Sequence, residues 1–488
     1  MQRKSHTRWC SGVALVCLWT SNGVFAQPPL STRLDAMLSH LPHPETVASA
    51  CVIDLQTGNV VMTHNGDRPL IPASTQKVIS IATALLELGP DFSFTTTLAT
   101  DGANLYVIGD GDPGVGDPRL ALTHGEAVSD AFLRWTRKLQ SVGIDRISGD
   151  LILDESIFER KIVHPTWDPA DLGKWFAAPV GGLNFNDNCV DITVRPASRT
   201  GLPVLIEKTP DVDVIHITNR CKTGREGPPT LHHPPGTFDY ILKGGCKKKS
   251  SLQAVAFPDP GLLFGETFRQ ALQREGVSIT GNLRRARVRK TDGSLPSNLR
   301  VLARHQTPLR DAITRAGKNS QNMFAEALLK RAGYARMLRV DETEPIGSWL
   351  SGATAAYAMF ERAGIDRRGL IVNDGSGLSR KNRITARQLA GLLAWSQKTP
   401  FGPDLHDSLA RAGIDGSLRK RMKDTDGRVF AKTGTMHGVC ALAGYVDGRF
   451  APRFAFAILF NQYTGPSTPY RAIQDRFCRE LLRSLGSQ

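Results

Sequence analysis

The sequence predicts a mixed α/β (α+β) fold in which the two ends of the chain build one antiparallel sheet around a long, mostly-β insertion. Three observations carry this prediction. β-prone runs at 48–54 and 59–63 flank Gln56-Thr57-Gly58 as a hairpin, and three more, at 429–435, 439–446 and 453–461, stand near the other end. Apolar residues at helical spacing follow the first group and precede the second. Between about 92 and 295 the texture changes to short strands, turns and many Gly and Pro residues.

Five strands from opposite ends are satisfied most simply by one sheet. The expected division is therefore a discontinuous domain of residues 27–91 and 296–488, closed around inserted material at 92–295, with a nested subdomain near 190–255. After the first hairpin, Pro72-Ala73-Ser74 opens a helix with Val78, Ile81, Ala82, Leu85 and Leu86 at core spacing, stopped by Gly89-Pro90. Helical periodicity returns over 309–332, 349–363 and 386–396. Asp447-Gly448 joins the last two strands.

A chain of 488 residues, 41% hydrophobic and 22% charged, is too long for a mini-protein and too apolar for a disordered one. Residues 1–26 read as a secretory leader: Arg3, Lys4 and Arg8 precede an apolar stretch at 12–19, and Val24-Phe25-Ala26 puts small residues at the cleavage site. That stretch falls short of the roughly 20 apolar residues a membrane span needs. Cys17 follows Val16 rather than a small residue, so no lipid anchor is expected. The expectation is an exported protein of the periplasm or cell exterior, without a transmembrane segment.

The formal charge of +15 leaves the chain clearly basic after the leader is removed. Basic runs at 247–249 and 284–290 carry no interleaved aromatics, and no zinc-finger, RNP or helix-turn-helix pattern accompanies them, so nucleic acid is not an expected partner. For an exported protein such a surface suits loose attraction to an anionic envelope polymer. Of eight cysteines, Cys10 and Cys17 leave with the leader. Cys51, Cys189, Cys221, Cys246, Cys440 and Cys478 remain in a compartment that permits disulfides. Their pairing is open, although a Cys221–Cys246 bridge would tie down a Gly/Pro-rich loop, and Cys51 and Cys440 sit in apolar strand patterns as buried thiols.

Ser74-Thr75-Gln76-Lys77 is the sharpest local feature, because Ser and Lys at i and i+3 lie on one helix face. Lys77 can take the serine proton only if burial or a second cation lowers its pKa. Ser320-Gln321-Asn322, within the long helical pattern, and Lys432-Thr433-Gly434-Thr435, on a terminal strand, complete the set. Together they supply a nucleophile, a base, a bridging hydroxyl, an amide, a second cation and a strand edge. Lys432 is expected to help depress Lys77, and Gly434 to let a substrate backbone approach. A second Ser-x-x-Lys at Ser417 lies in a basic run that keeps Lys420 solvated, and Lys222-Thr223-Gly224 reads as a loop.

Other patterns fail on their chemistry. Gly109-Asp110-Gly111-Asp112-Pro113-Gly114 would repel a pyrophosphate, and Pro113 and Pro118 spoil the following helix, so it reads as a turn. The same aspartates lack the glutamate of a calcium loop. Asp374-Gly375-Ser376-Gly377 lacks the leading glycine of a nucleophile elbow. His232-His233, flanked by prolines, reads as exposed loop rather than metal ligand. No metal and no cofactor are expected.

The constellation resembles the penicillin-recognising serine acyltransferases, and more narrowly the class C type-4 low-molecular-mass penicillin-binding proteins, the D-Ala-D-Ala carboxypeptidase/endopeptidase family. The likeness covers most of the mature chain. Beside the three motifs it includes Ile71-Pro72-Ala73, Gly109-Asp110-Gly111-Asp112-Pro113, Ala178-Pro179-Val180 with Asn188, Asn322-Met323-Phe324-Ala325-Glu326, Asp374-Gly375-Ser376-Gly377-Leu378-Ser379-Arg380 and Ala431-Lys432-Thr433-Gly434-Thr435. The long gap between Ser74 and Ser320 also matches this family, where it holds inserted domains. Two departures stand out: Lys318-Asn319 replaces a more frequent Asn-Lys, and Gln321 replaces a frequent Asp.

The resemblance implies a penicillin-recognising domain at 27–91 and 296–488. It also implies a carboxypeptidase, and a D,D-endopeptidase, acting on peptidoglycan stem peptides through a Ser74 acyl-enzyme, with β-lactams as acylating inhibitors. In that scheme Lys77 is the base, Ser320 relays a proton, Asn322 holds the substrate amide, and Lys432, Thr433 and Thr435 bind the terminal carboxylate. Backbone N–H groups of Ser74 and Thr435 form the oxyanion hole. A β-lactamase-like hydrolase, a silent wall-binding protein and a simple esterase are the competing readings, and turnover of a D-Ala-D-Ala peptide separates them.

Overall fold

The computed structural model describes residues 28–486 apart from 225, 226, 235 and 341. The leader assigned to residues 1–26, with Cys10 and Cys17, lies outside the described residues. A six-stranded antiparallel sheet runs in the order Ala410–Arg411, Val429–Met436, Val439–Asp447, Pro452–Asn461, Val47–Asp54 and Val60–His64. The five expected strands are all present. The sixth, two residues long, pairs Ala410 with Ala431 at the edge and is too short to leave a periodic signal.

Residues from the two chain ends meet in the middle of this sheet, where Cys51 pairs with Ala457 and Ala50 with Ile458. Alternation then sends Ala50 and Val52 to one face and Cys51 and Ile53 to the other. Both faces are covered. Val78, Leu328, Met359 and Leu389, from helices Lys77–Leu88, Asn322–Arg339, Trp349–Arg362 and Ala386–Ser396, pack on the Cys51 side. Leu34 and Phe477, from Leu30–Ser39 and Thr468–Gly486, pack on the Val52 side. Each such buried side chain contributes roughly 1.5–3 kcal/mol, which explains why the strands read as nearly continuous apolar runs.

The chain leaves this body along Ser93–Thr100 and returns along Arg300–Pro308, two strands paired antiparallel from Ser93↔Pro308 to Thr100↔Arg300. They belong to a five-stranded mixed sheet that continues through Leu105–Ile108, Leu151–Asp154 and Leu283–Arg285. Besides its strands, this region carries helices Asp130–Ser141 and Pro260–Arg274, whose Phe132, Trp135, Phe264 and Phe268 form an aromatic core with Phe185. Small sheets between Cys189–Arg195 and Val255–Ala256 enclose a further core of Val190, Ile192, Tyr240 and Leu242.

Several local expectations need correction. The helical pattern over 309–332 is two helices, Leu309–Gly317 and Asn322–Arg339, broken at residues 318–321, so Ser320 lies in a turn and not within a helix. Pro118 opens a helix rather than spoiling one: it occupies the first turn of Pro118–His124, where no N–H is missed, and Asp117 caps it by accepting from Leu120 N at 2.7 Å. Lys222–Thr223 is a short strand parallel to Gly245–Cys246 instead of a loop. His232 ends the strand Thr230–His232, and His233 stacks on Tyr240 with ring centroids 4.3 Å apart. All six cysteines named above are buried free thiols, and burial pushes Cys51 up to about 11. No helix among the described residues is long and apolar enough to cross a membrane.

Candidate active site

Ser74 sits in a single 3₁₀ turn, Ala73–Gln76, that feeds directly into helix Lys77–Leu88. In such a turn side chains three apart nearly eclipse, so Lys77 lies over Ser74. Its Nζ donates to Ser74 Oγ at 2.9 Å, Asn322 Oδ1 at 2.7 Å and the Ser376 carbonyl at 2.7 Å. Lys77 is fully buried, whereas Ser74 is partly open to solvent. Burial lowers the Lys77 pKa to about 7, against the opposing charges of Glu326 and Asp374. The amine is therefore poised to lose a proton near neutrality, leaving two N–H donors for Asn322 and Ser376 and a lone pair for the serine.

Lys432, on the strand Val429–Met436, donates to Ser320 Oγ at 2.9 Å and to its neighbour's carbonyl, Thr433 O, at 2.9 Å. Burial is the largest cause of the lowered Lys77, and Lys432 is held well below the usual lysine value by burial and then by the charge of Lys77.

At Gly434 a Cβ would stand 2.7 Å from the Pro72 carbonyl and 3.1 Å from the Ser74 and Thr75 nitrogens. Its bare face is what lets the strand lie against the Ser74 turn. Thr433 and Thr435 alternate onto the other side of the strand, away from the buried Lys432 and Gly434. Thr433 Oγ1 donates to Ser417 Oγ at 2.8 Å, and Thr435 Oγ1 accepts from Arg471 Nη2 at 3.3 Å.

Thus all eight residues singled out in the sequence, Ser74, Lys77, Ser320, Asn322, Lys432, Thr433, Gly434 and Thr435, converge on one place, linked by these bonds and by the approach of Gly434. Both ends of the Asn322 amide are engaged: Oδ1 accepts from Lys77, and Nδ2 donates to the Phe176 carbonyl at 2.6 Å. The second Nδ2 hydrogen and the second Oδ1 lone pair remain for a substrate amide.

Sequence reasoning missed the support beneath Lys77. Glu326 accepts from Gly375 N (2.7 Å), Ser376 N (2.8 Å) and Trp349 Nε1 (2.8 Å). Asp374 accepts from Trp167 Nε1 (2.9 Å), Gly377 N (2.8 Å), Ser379 N (2.6 Å) and Asn382 Nδ2 (2.7 Å). Two buried carboxylates thereby fold the 374–382 loop and aim the Ser376 carbonyl at Lys77. Burial and Asp374 raise Glu326 to about 7. The available signal was a glutamate four residues after Asn322 on one helix face, and an aspartate opening a failed elbow motif.

With this geometry established, comparison with known proteins places the chain. A family model described as D-Ala-D-Ala carboxypeptidase 3 (S13) family matches residues 30–478. The chain is 30% identical to a D-alanyl-D-alanine carboxypeptidase of Actinomadura sp. (strain R39), over 94% of its own length and 85% of that protein. It is 26% identical to D-alanyl-D-alanine carboxypeptidase DacB of Haemophilus influenzae, covering 88% and 89% of the two chains. The crystal structure of penicillin binding protein 4 (dacB) from Haemophilus influenzae superposes with a TM-score of 0.73 at 24% identity, over 92% of this chain and 99% of that one, which shows a shared fold.

Proposed function

The chain belongs to the D-Ala-D-Ala carboxypeptidase 3 (S13) family, and from that membership we propose a serine acyl-transfer mechanism on peptidoglycan stem peptides with Ser74 as nucleophile. The enzyme is a peptidase of the D-alanyl-D-alanine carboxypeptidase type. The single observation that supports the serine mechanism is the Ser74 hydroxyl 2.9 Å from a buried amine with a pKa near 7.

Neutral Lys77 takes the Ser74 proton as Oγ attacks the carbonyl carbon of the penultimate D-Ala. In this reading the oxyanion is held by the backbone N–H groups of Ser74 and Thr435. Collapse breaks the C–N bond, and the proton held by Lys77 passes to the leaving amine, with Ser320, bonded to Lys432, as relay. Free D-Ala departs and the ester remains. Water then cleaves that ester, returning the proton to Ser74. Lys432, Thr433 and Thr435 bind the terminal carboxylate. Cleavage of a cross-link is the same sequence with a longer amine leaving, so D,D-endopeptidase activity belongs to this proposal. A β-lactam presents its strained amide to the same serine and is retained as an ester. Export by residues 1–26 completes the reading, and the N-terminus of the mature protein is then Gln27.

Intact mass of the mature protein after brief exposure to benzylpenicillin, with peptide mapping, tests the mechanism. An adduct on Ser74 is expected. Hydrolysed drug without an adduct would replace this reading with a β-lactamase, and intact drug without an adduct would reject Ser74 as nucleophile.

A further inference from the structure

Two elements of the insertion and one helix of the central body meet beneath the Ser320 turn. Asp117, fully buried, receives Arg315 through Nε at 3.0 Å to each carboxylate oxygen and through Nη2 at 2.6 Å. Arg315 Nη2 also donates to Asp187 Oδ2 at 3.1 Å, and Nη1 to Asn319 Oδ1 at 3.2 Å. Asp187 Oδ2 accepts in addition from Gln321 Nε2 at 2.8 Å, while Gln321 Oε1 caps the next helix by accepting from Asn322 N at 2.9 Å. Both neighbours of Ser320 are therefore fastened to one cluster.

The backbone shows what this fastening holds. Ser320 has φ +59°, a left-handed conformation that costs a non-glycine residue about 1–2 kcal/mol. On the opposite side, Asn186, Asp187 and Asn188 have φ of +52°, +56° and +53°, three left-handed residues in succession. Asn186 and Asn188 secure that turn through Cys189 O, Asp191, Pro179 O and Asn184, which leaves Asp187 to point at Arg315.

Two carboxyls and one guanidinium leave one negative charge in excess if both acids are ionised. Asp187 Oδ1 is buried without a donor, and the Asp117 and Asp187 carboxyls are side-chain hydrogen-bond partners. A proton kept by Asp187 and shared with Asp117 balances the charge. Burial and then Asp117 hold Asp187 well above the ordinary aspartate range, and Arg315 helps to keep Asp117 below it.

We propose that Asp187 is a positioning residue for the acyl-transfer reaction: through Gln321, Arg315 and Asn319 it clamps the backbone on both sides of Ser320 and sets the Ser320 hydroxyl against Lys432. The proposal rests on that reading of the site. The groups facing Asp187 are Asp117 from the start of Pro118–His124, Arg315 from Leu309–Gly317, Gln321 from the Ser320 turn, and the Cys189 thiol, with Asp191 beyond it, from the strand that follows. The clamp is complete while Asp187 keeps its proton and loosens as pH rises through its elevated pKa.

The test compares the mature wild type, Asp187→Asn and Asp187→Ala by benzylpenicillin acylation rate against pH and by amide hydrogen exchange over residues 318–325. Asparagine supplies an N–H to Asp117, accepts from Gln321 and Arg315, and tolerates a positive φ. Asp187→Ala is expected to slow acylation about 10²-fold and to speed exchange over 318–325. Asp187→Asn should restore both and move the alkaline fall in acylation to higher pH. An Ala variant with wild-type acylation and exchange, or an Asn variant with the wild-type alkaline fall, overturns the proposal. If Ala fails to fold, the Asn profile decides. If the wild type is never acylated, the acyl-transfer reading fails, and exchange over 318–325 still decides the clamp.

Discussion

Two serine turns face each other across this site, and they are held in different ways. Ser74 follows Ala73 at φ +48°, Ser320 is itself at φ +59°, and each hydroxyl accepts from a buried lysine at 2.9 Å. The Ser74 turn is held by backbone packing, with the bare faces of Gly434 and Gly377 against residues 72–76. The Ser320 turn is held by side-chain charge reaching in from the insertion. The first arrangement is intolerant of added atoms. The second tolerates shape and depends on protons.

The difference can be broken from either side. Ser74→Ala should have the largest effect, lowering peptide turnover by at least about 10⁴-fold and abolishing the penicillin adduct in a mass spectrum. Gly377→Ala comes next. Its φ is +82° and a Cβ would stand 1.9 Å from the Ala73 carbonyl, so the turn must move or the loop unfold. A stability loss of about 3 kcal/mol or more is expected in denaturant titration, together with loss of acylation at every pH.

How much of this was legible is shown by the same two turns. Ser74 and Lys77 were readable because i, i+3 spacing before an apolar helix survives a 3₁₀ start. Gly434 was readable as a residue, but only the fold shows that its bare face lies against the Ser74 turn. The break at Ser320 was hidden, since its one local cue is Gly317 at the end of the first helix, and two of the side chains bonded to the turn's flanks, Asp117 and Asp187, lie far away in sequence. Burial was one of the two causes offered for the Lys77 shift, but local spacing does not show the covering supplied by Asn322 and the 374–382 loop.

The remaining tests sharpen the contrast with smaller effects. Lys77→Met removes the base, so acylation should fall by about 10²–10⁴-fold, while the wild-type rate should climb with pH up to about 7 and decline again only where the Asp187 clamp loosens. The same variant should be more stable than wild type. Folded Lys77 titrates near 7 and unfolded lysine near 10.5, so between those values the unfolded chain binds more protons and wild-type stability rises with pH. The stability gain of Lys77→Met should therefore be largest below pH 7 and shrink toward 10.5, as read by denaturant midpoints. Ser417→Ala should have the least effect. It removes the hydrogen-bond partner of Thr433 Oγ1, costs about 0.5–1.5 kcal/mol in substrate binding, and leaves the adduct on Ser74.

The pairing of the chain's two ends governs when the enzyme comes into being. Ile71, just ahead of the nucleophile turn, shares hydrogen bonds with Asn461, 390 positions later, and the strand carrying Lys432 and Gly434 is almost as distant. During synthesis the Val47–His64 hairpin has no partner on its Val47–Asp54 side until nearly the whole polypeptide has emerged. Closure of the sheet is consequently a late, high-contact-order event, preceded by an interval in which an unpaired apolar edge needs protection from other chains. An incomplete product lacks both lysine contacts to the 320 turn and the strand behind Ser74, so it has no assembled nucleophile with which to attack its surroundings.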